Sequence, residues 1–231
     1  MTAAIHPGVR AALFDIDGTL TSGGDVWRPL VSSRRVHPVR KAWLYATGMP
    51  HYLLSKPGLL NQAAFRDRWV RLMAWLITGW SAEQVRAVSD EIVQSKLMPA
   101  LRPDVVAVMR QHQAAGHPVL LVSTMFDSIT GALADHLGVE AGLGSIVEMR
   151  DGACAGRIAG ETCSGGRKLN FAWRYLARHH PGVTLEACAA YADSASDIDF
   201  LSGVGHPVAV YPDERMHMAA EASGWSILPT V

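Results

Sequence analysis

The sequence has few cysteines, no excess of either charge and no long hydrophobic run. Its three cysteines are an odd number without the spacing of a metal site, and we expect reduced thiols at Cys154, Cys163 and Cys188. The 21 basic and 21 acidic residues give a formal net charge of zero, which argues against nucleic acid or an anionic membrane surface as a partner. Any anionic ligand would therefore need a local binding site.

Signals for export, for membrane insertion and for histidine-based metal binding are also missing. No apolar stretch approaches the ~20 residues that span a bilayer, and the N-terminal sequence MTAAIHPGVR lacks the apolar core of a secretory signal. The ten histidines include no HxxxH or HExxH pattern, so we do not expect a metal site shared among them. These absences predict a cytoplasmic protein without a membrane span.

Strand and helix patterns alternate through most of the chain. Hydrophobic residues make up 49% of the 231 residues, enough for a sizeable core. The patterns predict strands at residues 11–17, 117–123, 185–191 and 207–211, a hairpin at 145–158, and helices at 103–113, 126–137, 168–179 and 214–222. This order predicts an α/β fold with a doubly wound, Rossmann-like and mostly parallel sheet.

A block of helical patterns between residues 26 and 97 interrupts the alternation after the first strand. Phe65, Trp69 and Met73 recur at helical spacing opposite a charged face, and residues 81–84 have the pattern of a capping box that begins a further helix. We therefore expect a helical subdomain at residues 21–98, inserted into an α/β core formed by residues 1–20 and 99–231.

The segment FDIDGTLT at residues 14–21 places two aspartates at the end of the first strand. Side chains two residues apart share one face of a strand, so Asp15 and Asp17 project together from its carboxyl end, where open α/β sheets bind ligands. Two carboxylates this close repel each other unless a cation or a proton shares the site, and Gly18 allows a sharp turn close to a ligand. Taken alone, the segment is also compatible with an Asp-x-Asp-Gly surface turn.

Three further segments place polar side chains at predicted strand ends or at a helix start. They contribute, in chain order, two hydroxyls, a lysine and two carboxylates: Ser123, Thr124, Lys168, Asp193 and Asp197. Each has an ordinary explanation by itself, since serine commonly ends strands, lysine is commonly solvated, and Asp-Ser-x-Ser-Asp can cap a helix. Because the carboxyl ends of parallel strands meet at one edge of a sheet, we expect the set to converge there.

Together these segments resemble the four motifs of the haloacid dehalogenase superfamily, which occur in this order at successive strand ends. Residues 205–228, and the helical block between the first two motifs, are similar to the phosphoserine-phosphatase-like branch, whose helical cap is inserted at that place. The resemblance covers the whole predicted α/β core. It implies a Mg²⁺-dependent phosphatase that acts on a small-molecule phosphate monoester.

The resemblance also implies roles for the motif residues. Asp15 would be the nucleophile that forms an aspartyl-phosphate, and Asp17 the general acid and base. Mg²⁺ would be held by Asp15, the backbone carbonyl of Asp17 and Asp193, with Asp197 supporting this shell. Ser123 and Lys168 would complete the catalytic set, and the phosphate would be bound by Gly18, Ser123, Thr124 and Lys168.

Two departures from the branch concern the substrate. The fourth motif reads ADSAS at residues 192–196, with Ser196 where an asparagine is usual, instead of beginning Gly-Asp-Gly. Gly24 occupies the position expected for the acidic residue that reads the substrate in phosphoserine phosphatases, and Asp25 follows one position later. We therefore do not expect L-phosphoserine to be the substrate.

Tryptophan is concentrated in the helical block, which holds five of the seven: Trp27, Trp43, Trp69, Trp75 and Trp80. These side chains either form the core of a small subdomain or line a site for a bulky apolar leaving group, and the sequence leaves both interpretations open. Residues early in the block are expected where such subdomains approach the catalytic site. The candidate substrate contacts there are Asp25, Trp27, Arg28, Arg34 and Arg35.

Some or all of these residues also occur in proteins with functions other than phosphate ester hydrolysis. A phosphotransferase that passes the aspartyl-phosphate to an acceptor alcohol stays open, because it would use the same residues. A receiver-type signalling module shares the acceptor aspartate, hydroxyl, lysine and acidic metal ligands, but it has no large insert and no acid two residues after the acceptor.

A silent scaffold is not expected because every catalytic position carries a competent residue. The second Asp-x-Asp, at residues 197–199, begins a helix, which argues against a glycosyltransferase metal site.

Overall fold

The computed structural model describes residues 5–55 and 62–229, with the backbone alone for residues 48–55, 62 and 63. Within these residues the strands are β1 (Ala11–Phe14), β2 (Val119–Phe126), β3 (Ala141–Ser145), β4 (Val147–Arg150), β5 (Ala153–Ile158), β6 (Cys188–Ala192), β7 (His206–Val210) and β8 (Ser226–Leu228). Six of them form a sheet in the order β3-β2-β1-β6-β7-β8, and every neighbouring pair in it is parallel. The predicted α/β fold is confirmed.

Five of the α-helices in the same residues lie between β1 and β2, and the later ones are separated from one another by strands. In chain order, the α-helices are α1 (Arg28–Ser32), α2 (Pro38–Ser55), α3 (Gln62–Leu76), α4 (Ala82–Ile92), α5 (Pro103–Ala114), α6 (Asp127–Leu137), α7 (Arg167–His179), α8 (Ile198–Ser202) and α9 (Glu214–Ser223). A π-helical turn, Val93–Leu97, leads out of α4. None of the described helices combines the length and the apolar character needed to cross a bilayer.

The central strand β1 is buried on both faces because helices cover both sides of the sheet. Ala12 and Phe14 pack in the core cluster that includes residues of α5 and α6, while Ala11 and Leu13 pack in the cluster that includes residues of α7 and α9. A strand covered on both faces must be apolar at every position. The first polar side chains therefore occur where β1 ends, between the carboxyl ends of its neighbours β2 and β6.

Helices α1–α4 lie between β1 and α5, and we call them the helical insert. The β4–β5 hairpin joins the insert to the core, because the Gly79 N–H donates to the Cys154 carbonyl and the Cys154 N–H donates to the Trp80 carbonyl, each at 2.8 Å. The capping box predicted at the start of α4 is present, with Ser81 and Gln84 bonding each other's backbone N–H. The boundaries drawn at residues 21 and 98 stay a prediction.

Several local expectations differ from the structure. The strand predicted to end at residue 123 continues to Phe126, and the segment Leu185–Ala187 is a 3₁₀ turn that precedes β6. The pattern did not predict β3, whose sequence AGLGS looks like a loop. Its glycines are required because a Cβ atom at Gly142 or Gly144 would collide with the backbone of α6 or of the chain entering it. The three cysteines are buried free thiols, as expected.

Candidate active site

The first motif forms a turn at the carboxyl end of β1. The Asp15 N–H donates to the Tyr191 carbonyl (N···O 3.0 Å), which extends the pairing of β1 with β6 by one residue. Asp15 is only 2% exposed. Gly18 has a positive φ of 91°, and a Cβ atom at this position would collide with the Asp193 carboxylate. Glycine is therefore required where the first motif approaches the fourth.

Asp17 is the second acid of this motif and lines the same cavity as Asp15. Burial, and then the charge of Asp15, raise the pKa of Asp17 above its ordinary value. Its Oδ1 atom is buried and has no hydrogen-bond partner within the described part of the chain. A buried polar atom without a partner costs free energy, and such atoms are typical of functional sites.

The second motif lies in β2, where Ser123 and Thr124 line the cavity together with the two aspartates. Ser123 is buried, with 3% exposure. The pairing of β2 with β3 shifts register between Val122 and Phe126. Irregularities of this kind are common beside active sites because they redirect side chains at the end of a strand.

Lys168 lies in the first turn of α7 and is almost completely buried, with 1% exposure. Its Nζ atom lies 2.6 Å from Asp15 Oδ1 and 2.7 Å from Asp197 Oδ1. Burial alone would lower the pKa of the ammonium group, but the two carboxylates outweigh it and raise that pKa. Lys168 is therefore a charged bridge between the first and fourth motifs, and not a solvated lysine.

Thr19 and Asp213 hold the fourth motif beside the first. The Thr19 hydroxyl lies 3.2 Å from Asp15 Oδ2 and 3.1 Å from Asp193 Oδ1. The Asp213 N–H donates to the Asp193 carbonyl, and the Asp213 carboxylate accepts from the Ala195 N–H while it also caps α9. These bonds fix the loop that follows β6. Neither residue could be recognised as a site residue from the sequence, because both act through neighbours.

Three carboxylates converge at the centre of the site. Oxygen atoms of Asp15, Asp193 and Asp197 lie within 4.8 Å of one another. Burial, followed by the charge of Asp15, raises the pKa of Asp193 to about 7, so this carboxylate is costly to ionise in the absence of a further cation. A hard divalent cation that prefers oxygen ligands, such as Mg²⁺, fits this donor set. The individual ligand roles predicted for these residues and Asp17 stay predictions.

Arg66 enters the site from α3, and the sequence analysis did not predict it as a site residue. Its Nη1 atom donates to Ser196 Oγ at 3.0 Å and lies 3.7 Å from Asp197 Oδ2. Burial would lower the pKa of the guanidinium, but the Asp197 and Asp15 carboxylates raise it. The only signal in the sequence was a charged face on an amphipathic helix, and such faces are usually solvated.

Asp67, next to Arg66, links the insert to the core. Its carboxylate lies 2.8 Å from Arg167 Nη2 and accepts a hydrogen bond from the Thr162 hydroxyl. Arg167 directly precedes Lys168, just as Arg66 directly precedes Asp67. In each of these two pairs, one side chain (Lys168 or Arg66) reaches the site and the other (Arg167 or Asp67) joins the insert to the core. We call the Asp67–Arg167 contact the clasp.

We expect Asp67→Ala to lower the free energy of unfolding by about 1 kcal/mol at pH 7, as is usual for a partly exposed ion pair. Partial burial would raise the pKa of Asp67, but hydrogen bonds from Thr162 and Arg71 lower it below the ordinary 3.8. The stabilisation is therefore present above the ordinary pKa and is lost as the pH falls through the lowered one.

Urea unfolding of the wild type and of Asp67→Ala, measured between pH 7 and pH 3, checks this pH dependence. The difference between the two proteins should shrink as the pH falls, and a constant difference would contradict the assignment. The matched control is Asp90→Ala, at an exposed position in α4, which we expect to change the free energy of unfolding by less than ~0.5 kcal/mol at either pH.

Four motif residues, Asp15, Asp17, Ser123 and Thr124, line a cavity of about 820 Å³ that extends into the helical insert. Gly18, Lys168, Asp193 and Asp197 are not among its described lining residues. The candidate substrate contacts Asp25, Trp27 and Arg28 all line it, whereas Arg34 and Arg35 are not among its described lining residues. Beyond the motif residues, the rest of the described wall comes from residues of α1, α2 and α3 that the sequence did not assign to the site, from Gly24 and Val26 before α1, and from Met125 of β2. Asp25, Trp27 and Arg28 therefore lie in the cavity wall, and their contact with a substrate stays a prediction.

The five tryptophans of the insert divide between the two interpretations that the sequence left open. Trp27 and Trp69 line the cavity. Trp43 and Trp75 pack on each other with ring centroids 5.0 Å apart, and Trp80 lies in the hydrophobic core with 5% exposure. Trp80 therefore belongs to the core, whereas Trp43 is exposed. That Trp27 and Trp69 contact a leaving group stays a prediction.

Comparison with known proteins identifies relatives over nearly the whole chain. Residues 12–202 match the haloacid dehalogenase-like hydrolase family. Phosphoserine phosphatase SerB1 of Mycobacterium tuberculosis (strain ATCC 25618 / H37Rv) is 32% identical over 221 residues, which cover 94% of this chain and 70% of that protein. Histidinol-phosphatase of Neisseria meningitidis serogroup C (strain 8013) is 26% identical over 223 residues, which cover 94% of this chain and 97% of that protein.

A solved structure has the same fold over nearly its full length. It is a protein of unknown function from Bordetella pertussis Tohama I, with a TM-score of 0.78 and 27% identity, and the match covers 95% of this chain and 97% of that chain. The predictions of the superfamily and of a hydrolase of the phosphatase type are confirmed. The chain belongs to the haloacid dehalogenase-like hydrolase family, in its phosphoserine-phosphatase-like branch.

Proposed function

We propose that this chain is a Mg²⁺-dependent phosphatase that hydrolyses a small-molecule phosphate monoester through an aspartyl-phosphate on Asp15. One observation carries the proposal: Asp15, Asp17 and Ser123 line one cavity, and Lys168 Nζ lies 2.6 Å from Asp15 Oδ1. This arrangement supplies a nucleophile, a proton donor and a cation at one place. The family match supports the same class of reaction.

In the first step, an Asp15 carboxylate oxygen attacks phosphorus, and the bond between phosphorus and the leaving alcohol oxygen breaks. Asp17 donates its proton to that oxygen. The raised pKa of Asp17, caused first by burial and then by the charge of Asp15, favours the protonated form that this step needs. The Lys168 ammonium holds the Asp15 carboxylate and offsets its repulsion from the phosphate oxygens.

In the second step, the Asp17 carboxylate takes a proton from a water molecule, whose oxygen attacks the same phosphorus. The bond between Asp15 and phosphorus breaks, inorganic phosphate leaves, and Asp17 is again protonated for the next cycle. One buried group therefore serves as acid and then as base. Its position beside Asp15 in the same cavity suits both roles.

Asp15, Asp193 and the backbone carbonyl of Asp17 would hold Mg²⁺, and Asp197 would support them. When bound, the cation supplies positive charge that stabilises the phosphoryl group during transfer. The raised pKa of Asp193, caused first by burial and then by the charge of Asp15, supports a cation site, because this carboxylate is costly to ionise without one. Thr19 orients the Asp15 and Asp193 carboxylates toward each other.

The phosphate oxygens would be bound by groups from three motifs. These are the Gly18 backbone, the hydroxyls of Ser123 and Thr124, and the Lys168 ammonium. Ser196, which replaces the usual asparagine of the fourth motif, accepts a hydrogen bond from Arg66 at 3.0 Å. Arg66 therefore brings a second positive charge from the insert to the edge of this site, where it lines the cavity.

Purified protein with Mg²⁺ should hydrolyse a generic aryl phosphate, and EDTA should lower the rate at least ~100-fold because the cation stabilises the transferred group. Adding excess Mg²⁺ to the EDTA-treated protein should restore the rate. Release of inorganic phosphate is the measurement. The absence of turnover on a broad panel of phosphate monoesters with Mg²⁺ present would contradict the proposed function.

A phosphotransferase is the second candidate, because the same aspartyl-phosphate can pass its phosphoryl group to an alcohol instead of water. The size of the cavity favours this alternative, since about 820 Å³ leaves room for an acceptor. Product analysis with and without an added alcohol separates the two reactions. A hydrolase releases phosphate at the same yield in both cases, whereas a phosphotransferase forms a new phosphate ester at the expense of free phosphate.

A further inference from the structure

The wall of the active-site cavity is of two chemical kinds. The catalytic aspartates, Ser123 and Thr124 form a polar part, to which Arg66 is added from the insert. The other described lining side chains are mainly apolar or aromatic and come from the insert: Val26, Trp27, Val31, Leu44, Tyr45, Phe65, Trp69 and Val70. An apolar wall of this extent is typical of pockets that bury an apolar ligand.

Helix α3 contributes both kinds of wall. Phe65 and Trp69 are four residues apart, so they share a face of the helix, and their rings stack at a centroid distance of 5.8 Å with 24° between the ring planes. Arg66 lies between them in the sequence and reaches Ser196 and the carboxylate of Asp197. The aromatic pair is therefore positioned within one helical turn of the group that contacts the catalytic motifs.

Trp27 supplies aromatic surface from a different part of the insert. Its ring packs edge-on against Phe126 of β2, with centroids 4.9 Å apart and an interplanar angle of 71°. This contact holds Trp27 against the strand that also carries Ser123 and Thr124. A ring positioned in this way presents a fixed apolar surface to a ligand at little cost in side-chain entropy.

The size and charge of the cavity argue against a small zwitterionic substrate. Its volume of about 820 Å³ is near the upper end of the ~300–1,000 Å³ found for pockets that bury drug-sized ligands. The charged candidates Asp25 and Arg28 are exposed, and exposed charges bind a counter-charge weakly because water screens them. The aromatic wall therefore has more binding energy to offer than the exposed charges.

We propose that the substrate is a phosphate monoester whose alcohol carries an aromatic ring, which packs against Trp27, Phe65 and Trp69. This inference rests on the proposed phosphatase function and names the class of its leaving group. The phosphate lies at the polar part of the cavity and the ring at the aromatic part. Trp69 and Phe65 are specificity residues in this arrangement and take no part in bond making or breaking.

A matched series of esters tests the proposal without changing the chemistry of the leaving group. We expect 2-phenylethyl phosphate to be hydrolysed with a kcat/KM at least ~30-fold above that of ethyl phosphate, because burial of a ring is worth more than the contacts of an ethyl group. Both esters release a primary alcohol, so the difference reports binding of the ring. O-phospho-L-serine, the third ester, should be hydrolysed no better than ethyl phosphate.

Two cavity variants and one control variant separate the aromatic wall from the rest of the insert. Trp69→Leu should lower kcat/KM for 2-phenylethyl phosphate about 10-fold, mainly through KM, and should change kcat/KM for ethyl phosphate less than ~2-fold. The control Trp43→Leu should change neither value, because Trp43 packs on Trp75. Phe65→Leu serves as a second cavity variant, and thermal unfolding shows whether each variant is folded.

The possible outcomes distinguish this proposal from the function on which it rests. Equal kcat/KM for the phenylethyl and ethyl esters would overturn the aromatic site while leaving the phosphatase intact. The same holds if Trp43→Leu lowers kcat/KM for the phenylethyl ester as much as Trp69→Leu does. If none of the three esters is hydrolysed, the proposed function fails. The affinities of 2-phenylethylphosphonate and ethylphosphonate, measured calorimetrically, then decide the aromatic site, and equal affinities overturn it.

Discussion

Asp15→Asn is expected to lower kcat by at least ~10⁴-fold, the scale seen when a catalytic nucleophile is removed. An amide oxygen cannot attack phosphorus as a carboxylate does, and the variant forms no aspartyl-phosphate. The effect should fall on kcat for every phosphate ester, because the residue acts on phosphorus and not on the leaving group. Release of inorganic phosphate in the presence of Mg²⁺ measures it.

The structure provides a matched control for this substitution. Asp199 belongs to the second Asp-x-Asp pattern of the chain but is exposed at the start of α8. Asp199→Asn should therefore retain activity within ~2-fold. The amide side chain that replaces the Asp15 carboxylate is nearly the same size and keeps one oxygen that can accept from Lys168, so we expect Asp15→Asn to remain folded. Substantial turnover by a folded Asp15→Asn variant would show that another residue is the nucleophile.

Lys168→Met is expected to lower the free energy of unfolding of the metal-free protein by about 3–5 kcal/mol at pH 8. Lys168 lies 2.6 Å from Asp15 and 2.7 Å from Asp197, and its side chain is 1% exposed. Its removal leaves two buried carboxylates without their cation. The variant should also lose nearly all activity, because the ammonium group positions Asp15 and stabilises the transferred phosphoryl group.

The loss of stability should depend on pH in a definite direction. Burial raises the pKa of Asp15, and the charge of Lys168 counteracts this effect. Without the lysine, the buried Asp15 carboxyl holds a proton more readily in the folded protein than in the unfolded chain. Such groups destabilise the folded state more as the pH rises, since they must ionise in a buried site. Urea unfolding in EDTA should therefore show a larger deficit at pH 8 than at pH 5.

The control for this experiment is Lys96→Met, at a partly exposed position in the π-helical turn after α4. We expect it to change the free energy of unfolding by less than ~0.5 kcal/mol at both pH values. A deficit below ~1 kcal/mol for Lys168→Met at pH 8 would contradict the conclusion that the lysine is the main counter-charge of the cluster.

Much of the catalytic edge could be predicted from the sequence because its groups lie at the carboxyl ends of strands of a parallel sheet, within the end of β2 or directly after β1 and β6. The carboxyl ends of such strands must meet, so chain order and apolar patterning were enough to bring Asp15, Asp17, Ser123 and Asp193 together. These motif residues could be predicted without any knowledge of side-chain packing. The local errors, such as the extension of β2 to Phe126, changed element bounds without moving these side chains away from the edge.

The burial of Lys168 and its pairing with two carboxylates could be seen only in the tertiary structure. A lysine at a helix start is usually solvated, and nothing local shows that this one is buried between two carboxylates. Its partner Asp15 is 153 residues away in the chain, and only the packing of α7 against the sheet brings them within 2.6 Å. The same holds for Thr19, whose hydroxyl bridges the first and fourth motifs.

The fold class, the order of the motifs and the edge of the sheet where they meet all follow from the pattern of residues along the chain. Which face of the insert turns toward that edge depends on tertiary packing. Helical periodicity shows which residues share a face but not what the face contacts. For this reason the sequence could not show that, on the charged face of α3, Arg66 reaches the site and Asp67 forms the clasp. Likewise, only packing separates Trp27 and Trp69, which line the cavity, from the tryptophans that pack elsewhere.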